Sequence, residues 1–271
     1  MFKKYEESLK MERIRLKVGW VWQLTVAIIA FFIIQNSNVA AENGLMAHWK
    51  MDKIEDNVVK DSSGNGFDAI FRSHDKELKP EFVPGVTGKA MRFRQGQAAW
   101  LNVDNTDKLF TEEHFTIMAW VKPKMLCNVI SEGRIAPLVW LCSGSQFKEQ
   151  GKKRHGWVFR YYKNNVFFYH FHPDAESGKR LDGKSGSVPI DSWTHIAVVY
   201  SGKELRLYIA GEEHASIKTD GILKLKQTPL IIGNYLTNKS TFAFDGLLDE
   251  VKIFNKALTK DEIWEESLPK E

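Results

Sequence analysis

Residues Ser192–Gly211 read SWTHIAVVYSGKELRLYIAG. The runs HIAVVY and LRLYIAG alternate with period two, the spacing that sends successive side chains to opposite faces of a strand. Ser201-Gly202-Lys203 between them is a tight-turn signal, so the stretch predicts a hairpin of strands His195–Tyr200 and Leu205–Ala210.

The same signature recurs outward in both directions. Strands are predicted at Leu45–Met51, Ala69–Phe71, Ala90–Phe93, Trp100–Val103, Thr116–Val121, Leu138–Cys142, Trp157–Tyr161 and Val166–Phe171, then at Leu230–Ile232 and Leu247–Phe254. In Thr116–Val121 and its flanks, Phe115, Ile117, Ala119 and Val121 share one face. SSGNG, KNN, ESGK, DGKSG and AGEE punctuate the series. No helical pattern intervenes, which argues an all-β sandwich of two antiparallel sheets. Thr259-Lys-Asp-Glu262 fits a capping box and predicts a short C-terminal helix, Lys260 to Glu266.

Hydrophobic residues make up 43% of the 271 and charged residues 27%, which excludes a disordered or fibrous chain. The net charge is +4, but residues 1–41 hold six of the 38 Lys/Arg and three of the 34 Asp/Glu. The remaining 32 and 31 nearly cancel, so composition gives no support to nucleic-acid binding. The polar, basic stretch 143–155 reads as an exposed loop; a docking patch for an anionic polymer is the lesser reading.

Six Lys/Arg precede the apolar run Val18–Ile34, and Val39 and Ala41 have the small-residue spacing of a cleavage site. This is the order of a secretory signal, so residues 1–41 are expected to be a signal helix cleaved after Ala41. Residues 42–271 form one domain, secreted, periplasmic or at the cell surface. The alternative is a membrane anchor over residues 18–34, marginal in length for a hydrocarbon core of about 30 Å. In an oxidising compartment Cys127 and Cys142 are expected to form a disulfide; buried thiols are the alternative.

Six blocks resemble the laminin-G-like jelly-roll domains of the concanavalin A-like lectin/glucanase superfamily. They are LMAHWKMD (45–52), VKDSSGNGFDA (59–69), GVTGKAMRF (85–93), FTIMAWVKP (115–123), the hairpin quoted above, and FDGLLDEVKIFNKALTKDEI (244–263). The resemblance implies a two-sheet jelly roll and departs at Ala210-Gly211, where relatives usually carry Asp-Gly. It also implies that the first strand, the SSGNG turn and the last strand meet around a structural calcium. Asp52, Asn65, Gly66 and Asp249 are then the candidate ligands, with Asp61 and Asp68 beside them, since Ca²⁺ takes six to eight hard oxygens. The plainer reading makes Asp61 the organiser of an ordinary turn.

Sugar recognition needs flat aromatic faces beside groups that fix orientation. Trp157, Arg160, Tyr161 and Tyr169 are the candidate ligand-binding residues, with Trp140 and Tyr235 as further members. His170 and His172 share one strand face, which reads as an exposed polar face more readily than as a metal site. The paired-carboxylate triplet of the superfamily's glucanases is absent, as are the G-x-S-x-G, H-E-x-x-H and P-loop motifs. The expectation is therefore a non-catalytic recognition module for a glycan or a cell-surface protein, with membrane contact only if the N-terminal segment is retained. A glycoside hydrolase or lyase, and an adhesive or structural envelope protein, are the alternatives.

Overall fold

The computed structural model divides the chain into two units, residues 1–43 and 44–271. It describes residues 44–94, 96–97, 99–104, 106–110, 113–124, 136–142, 156–162, 166–172, 179–182, 187–219, 230–234 and 244–270. Of these, 136–142, 156–162, 166–172, 179–182 and Asp107 are described by their backbone alone. The signal or anchor expectation, Cys127, the basic stretch 143–155 and Tyr235 lie outside the described residues, and with Cys127 so does the disulfide.

The first half supplies β1 (Leu45–Trp49), β2 (Val58–Val59), β3 (Ala69–Ser73), β4 (Glu81–Pro84), β5 (Lys89–Phe93), β6 (Ala99–Val103) and β7 (Phe115–Pro123). There follow β8 (Ala136–Cys142), β9 (Gly156–Tyr162), β10 (Val166–His172), β11 (Lys179–Asp182), β12 (Thr194–Tyr200) and β13 (Glu204–Ile209). The chain then forms β14 (Glu212–Lys218), β15 (Leu230–Ile232), β16 (Gly246–Phe254) and the helix α1 (Lys260–Glu266). Two eight-stranded sheets result. Sheet A runs β14-β13-β12-β7-β16-β5-β4, with β1 also paired to β16; sheet B runs β11-β10-β9-β8-β15-β6-β3-β2. All these pairings are antiparallel, the jelly-roll sandwich the pattern predicts.

The core lies between the sheets. Ile117, Ala119, Val121, Ile196, Val198 and Leu248 of sheet A meet Phe71, Leu101, Val103, Leu230 and Ile232 of sheet B, all buried. A second apolar layer forms on the far side of sheet A, where Met118, Ala197, Val199, Tyr208 and Phe254 are covered by Leu258 and Ile263. Covering both faces removes the exposed half of the alternation, which is why all seven residues of β12 are buried.

The helix begins as the sequence predicts. Thr259 Oγ1 accepts from the Glu262 amide at 3.2 Å, and Glu262 Oε2 accepts from the Thr259 amide at 2.7 Å. Each end of the box satisfies a backbone N–H that the first helical turn leaves unbonded. The turn where relatives carry Asp-Gly also forms here, with Ala210 at φ 50° and Gly211 at φ 80°. Both central residues therefore adopt the left-handed backbone of a two-residue hairpin.

Candidate functional site

β1 and β5 lie end to end along one edge of β16. Val251–Phe254 pair with β1, and Gly246–Leu248 pair with β5. The join falls at Asp249 and Glu250, where Glu250 takes φ 48° and the register against β7 slips. The loop Gly85–Gly88 fills this seam. Asp249 Oδ2 accepts from the amides of Val86 at 2.7 Å and Thr87 at 3.2 Å. Asp52 Oδ1 accepts from the Lys89 amide at 2.6 Å. Gly88 sits at φ 61°, and a Cβ there would overlap Asp52 Oδ1, so the loop requires glycine at this point. Asp249 Oδ1 is buried without a hydrogen-bond partner. Burial pushes the Asp249 carboxyl up to about 7, against the pull of the two amides.

The other two calcium candidates lie at the far end of β1. Asn65 Nδ2 donates to the carbonyls of Leu45 and Met46, each at 3.0 Å. Gly66 follows at φ 82°. Asp61 organises this turn: its Oδ1 accepts from the His48 and Ser63 amides, each at 2.9 Å. Its Oδ2 accepts from Ser63 Oγ at 2.8 Å and the Phe67 amide at 3.0 Å. Asp68 Oδ1 in turn accepts from the Asp61 amide at 2.9 Å. The structure thus brings Asp52 and Asp249 to one seam and leaves Asn65 and Gly66 at the opposite end of β1, so the four do not form a single cage. Among the described residues no cluster of three or more His, Cys, Asp or Glu is placed to hold a metal ion.

A small pocket opens beside the seam on the covered side of sheet A. Thr87, Trp120, His195, Glu250, Lys252 and Glu266 line it. Asp249, Trp120 and His195 are direct partners across β16, β7 and β12, so the three share one face. His195 Nδ1 is buried without a partner, and burial, reinforced by the Lys252 charge, lowers the imidazole to about 3. It is therefore neutral at physiological pH. The remaining charges are paired: His48 Nε2 to Glu250 at 2.7 Å, Lys252 Nζ to Glu266 at 2.6 Å, and Lys270 Nζ to Glu266 at 3.1 Å. Burial would raise both Glu250 and Glu266. The His48 hydrogen bond to Glu250, and the Lys252 charge beside Glu266, hold them below the usual carboxylate range. Thr87 Oγ1 donates to the Lys270 carbonyl at 3.1 Å, which ties the C-terminal segment to the seam. This constellation fastens the segment after α1 onto the sheet.

Sheet B presents its outward face differently. Among its fully described strands, Leu101, Val103, Leu230 and Ile232 are buried, whereas Trp100, Asn102 and Ile231 are half-buried and Arg72 is exposed. The register carries this parity across the sheet. Ile231 pairs with Trp140, Trp140 with Val158, Val158 with His170, and His170 with Arg180. Arg160, Phe168 and Asp182 form the neighbouring row on the same face. The opposite face, continuous with Leu230 and Ile232, carries Leu141, Trp157, Phe159, Tyr161, Phe167, Tyr169 and Phe171. Of the four candidate ligand-binding residues, Arg160 therefore lies on the outward face, while Trp157, Tyr161 and Tyr169 lie on the core-side face. The pleat forbids one site from holding Trp157 and Arg160, three positions apart on one strand. Phe168 and Arg180 are outward members that sequence reasoning missed. The odd-even parity of β9 and β10 was a usable signal; which parity faces outward was not.

Comparison with known proteins places this architecture. Domain 4 of AbnA, a GH43 extracellular arabinanase from Geobacillus stearothermophilus solved with arabinotriose, is 19% identical with a TM-score of 0.60. The match covers 83% of this chain and 98% of that one. The binding domain of Paraclostridial Mosquitocidal Protein 1 is 19% identical with a TM-score of 0.62, covering 83% and 52%. The binding domain of botulinum neurotoxin DC, in complex with rat synaptotagmin II, is 14% identical with a TM-score of 0.60, covering 83% and 51%. The chain spans about half the length of these two toxin domains, and at such identities the likeness is one of fold. No curated protein matches the chain at a significant level. Residues 95–264 match the Laminin_G_3 model, more than half of the chain, and the protein therefore belongs to this family of the concanavalin A-like lectin/glucanases superfamily.

Proposed function

We propose that the domain is a non-catalytic recognition module that binds a glycan on the outward face of sheet B, acting at the cell surface or in the secreted state. The observation that carries this reading is the register. It sets Trp140, Arg160, Phe168, His170 and Arg180 at neighbouring positions on one face of β8–β11. Aromatic rings offer flat apolar area to a sugar, and guanidinium groups fix its orientation through directed hydrogen bonds. The equivalent face of sheet A is taken up by α1 and the segment after it. The arabinanase domain solved with arabinotriose lends the reading support by fold alone.

A glycan array probed with the full chain tests it. Binding is expected, weakened by Trp140→Ala and Phe168→Ala and unaffected by Asp75→Ala on an exposed loop. An array without hits overturns the reading in favour of a protein partner.

A further inference from the structure

We infer that the outer side of α1 is a docking surface for a cationic polypeptide, a segment of another protein that presents arginine. The surface lies on the sheet A side of the domain and does not depend on the glycan reading.

α1 buries Ile263 against sheet A and turns two apolar side chains the other way, Trp264 at 47% exposed and Leu268 at 41%. No other large hydrophobic among the described residues is as open to solvent. The two are neighbours, because Leu268 lies one turn after Trp264, its amide donating to the Glu265 carbonyl at 3.4 Å. Single exposed apolar residues need no explanation, but adjacent ones mark a contact surface. The indole is seated over the β13–β14 hairpin, where a Cβ on Gly211 would lie 2.8 Å from its Cε3.

Charge identifies the occupant. Asp261 and Glu265 are exposed one helical turn apart beside the apolar pair. The two other α1 acids are spent, Glu262 on Lys256 at 2.7 Å and Glu266 on Lys252 at 2.6 Å, whereas Asp261 and Glu265 have no ion-pair partner among the described residues. Tyr208 belongs to the layer that α1 covers, so its cross-strand partner Glu213 faces the same way. Arg206 lies 3.9 Å from Glu213 but is held by Glu204 at 2.6 Å. Three acids thus stand around Trp264 against one exposed cation of α1, Lys260. Glu265 also sits in the last turn of α1, which holds no basic residue, and the carbonyl end of a helix favours a cation.

An arginine answers all of these features. Its guanidinium stacks on an indole, its fork matches a carboxylate two oxygens at a time, and its stem adds apolar contact for Leu268. An anionic bilayer would be repelled by the same acids. A second copy seated face to face would bring like charges together. The pairing of β13 with β14 jumps between Leu207 and Tyr208, a bulge that spoils this edge as a template, so side chains make the contact and not strand addition. A surface this small gives a weak, transient complex.

Nitrogen-15 NMR of the full chain, following the Trp264 indole N–H assigned with Trp264→Phe, tests the proposal. The titrants are the capped peptides (Arg-Ala)5, (Lys-Ala)5 and (Glu-Ala)5, and vesicles of phosphatidylcholine with and without phosphatidylserine. Expected is a saturable shift with the arginine peptide, about threefold tighter than with the lysine peptide and weakening as salt rises. The glutamate peptide and the vesicles leave the signal in place. Asp261→Asn combined with Glu265→Gln weakens the arginine peptide by about fivefold, and Lys260→Gln tightens it by about twofold. A gain of that sign does not arise from lost folding. An unmoved Trp264 signal, or equal affinity in the double variant, overturns the proposal. A shift with vesicles as large as with the peptide overturns it in favour of a membrane. Self-association that rises with protein concentration and is abolished by Trp264→Ala overturns it in favour of a second copy.

Discussion

On sheet A the outward residues Met118, Ala197, Val199, Tyr208 and Phe254 are buried under Leu258 and Ile263; on sheet B the outward residues Arg72 and Trp100 are exposed and half-buried. Both faces belong to antiparallel strands of the same domain. The contrast shows that pleat parity assigns a side chain to a face, while the rest of the chain decides what that face is for. A short capped helix turned one into a second core layer. The other keeps the alternating burial of β6, buried and half-buried in turn.

The comparison breaks first at Ile263, which is fully buried in the second layer. Ile263→Ala is expected to cost about 3 kcal/mol by chemical denaturation. Phe168→Ala on sheet B should cost under about 1 kcal/mol if its position is a surface one. Similar losses at both sites would erase the distinction between the faces.

Two buried groups on the covered face make its stability depend on pH in opposite senses. The folded pKa of Asp249, about 7, lies above the unfolded carboxyl value, so its contribution is present in acid and lost as pH rises from about 4 to 7. The folded pKa of His195, about 3, lies below the unfolded imidazole value, so its contribution is present above about 6.5 and lost as pH falls toward 3. Relative to Asp249→Asn, the native protein should lose on the order of 2 kcal/mol between pH 4 and 7. Relative to His195→Gln it should gain stability from pH 4 to 6.5. Parallel urea midpoints across that range for native and variant proteins would show that neither group titrates with folding.

Smaller effects sharpen the account of how the cover is held. Thr259→Ala removes one half of the capping box and should cost about 1 kcal/mol, read as a lower thermal midpoint. Ala210 holds φ 50° in the hairpin under the end of α1, where a Cβ on Gly211 would meet Ser267 and Trp264. Ala210→Asn suits that backbone better and should add about 0.5 kcal/mol. A lower midpoint would mean that Asn cannot be seated beside the helix.

Much of the fold was legible because interior strands carry strong periodicity. Phe115–Pro123 and Gly246–Phe254 appear within two residues of their predicted bounds. The strands that sequence reading passed over are β2, β4, β11 and β14, the edges of the two sheets. Edge strands are short, or polar, or hold a proline, since one side lacks a partner: Glu81–Pro84 ends in Pro84, and Glu212–Lys218 has no fully buried residue. The site was less legible. Asp52 and Asp249 could be read to one place because both belong to motifs that flank the seam. Asn65 spends its amide on β1 carbonyls, a contact set by the turn's three-dimensional path. Trp157, Arg160, Tyr161 and Tyr169 are aromatic and cationic residues of neighbouring strands, and chemistry alone could not sort them. Their parity separates Arg160 from the others, but only the pairing of β15 with β8 tells which parity joins the core.

The last strand, β16, is wedged between β7 on one side and the end-to-end pair β1 and β5 on the other. During vectorial synthesis, roughly two hundred residues must wait before their central sheet can zip shut, because three earlier strands stay unpartnered along that line until Phe254 emerges. A ribosome stalled before that point would display open strand edges along β1, β5 and β7.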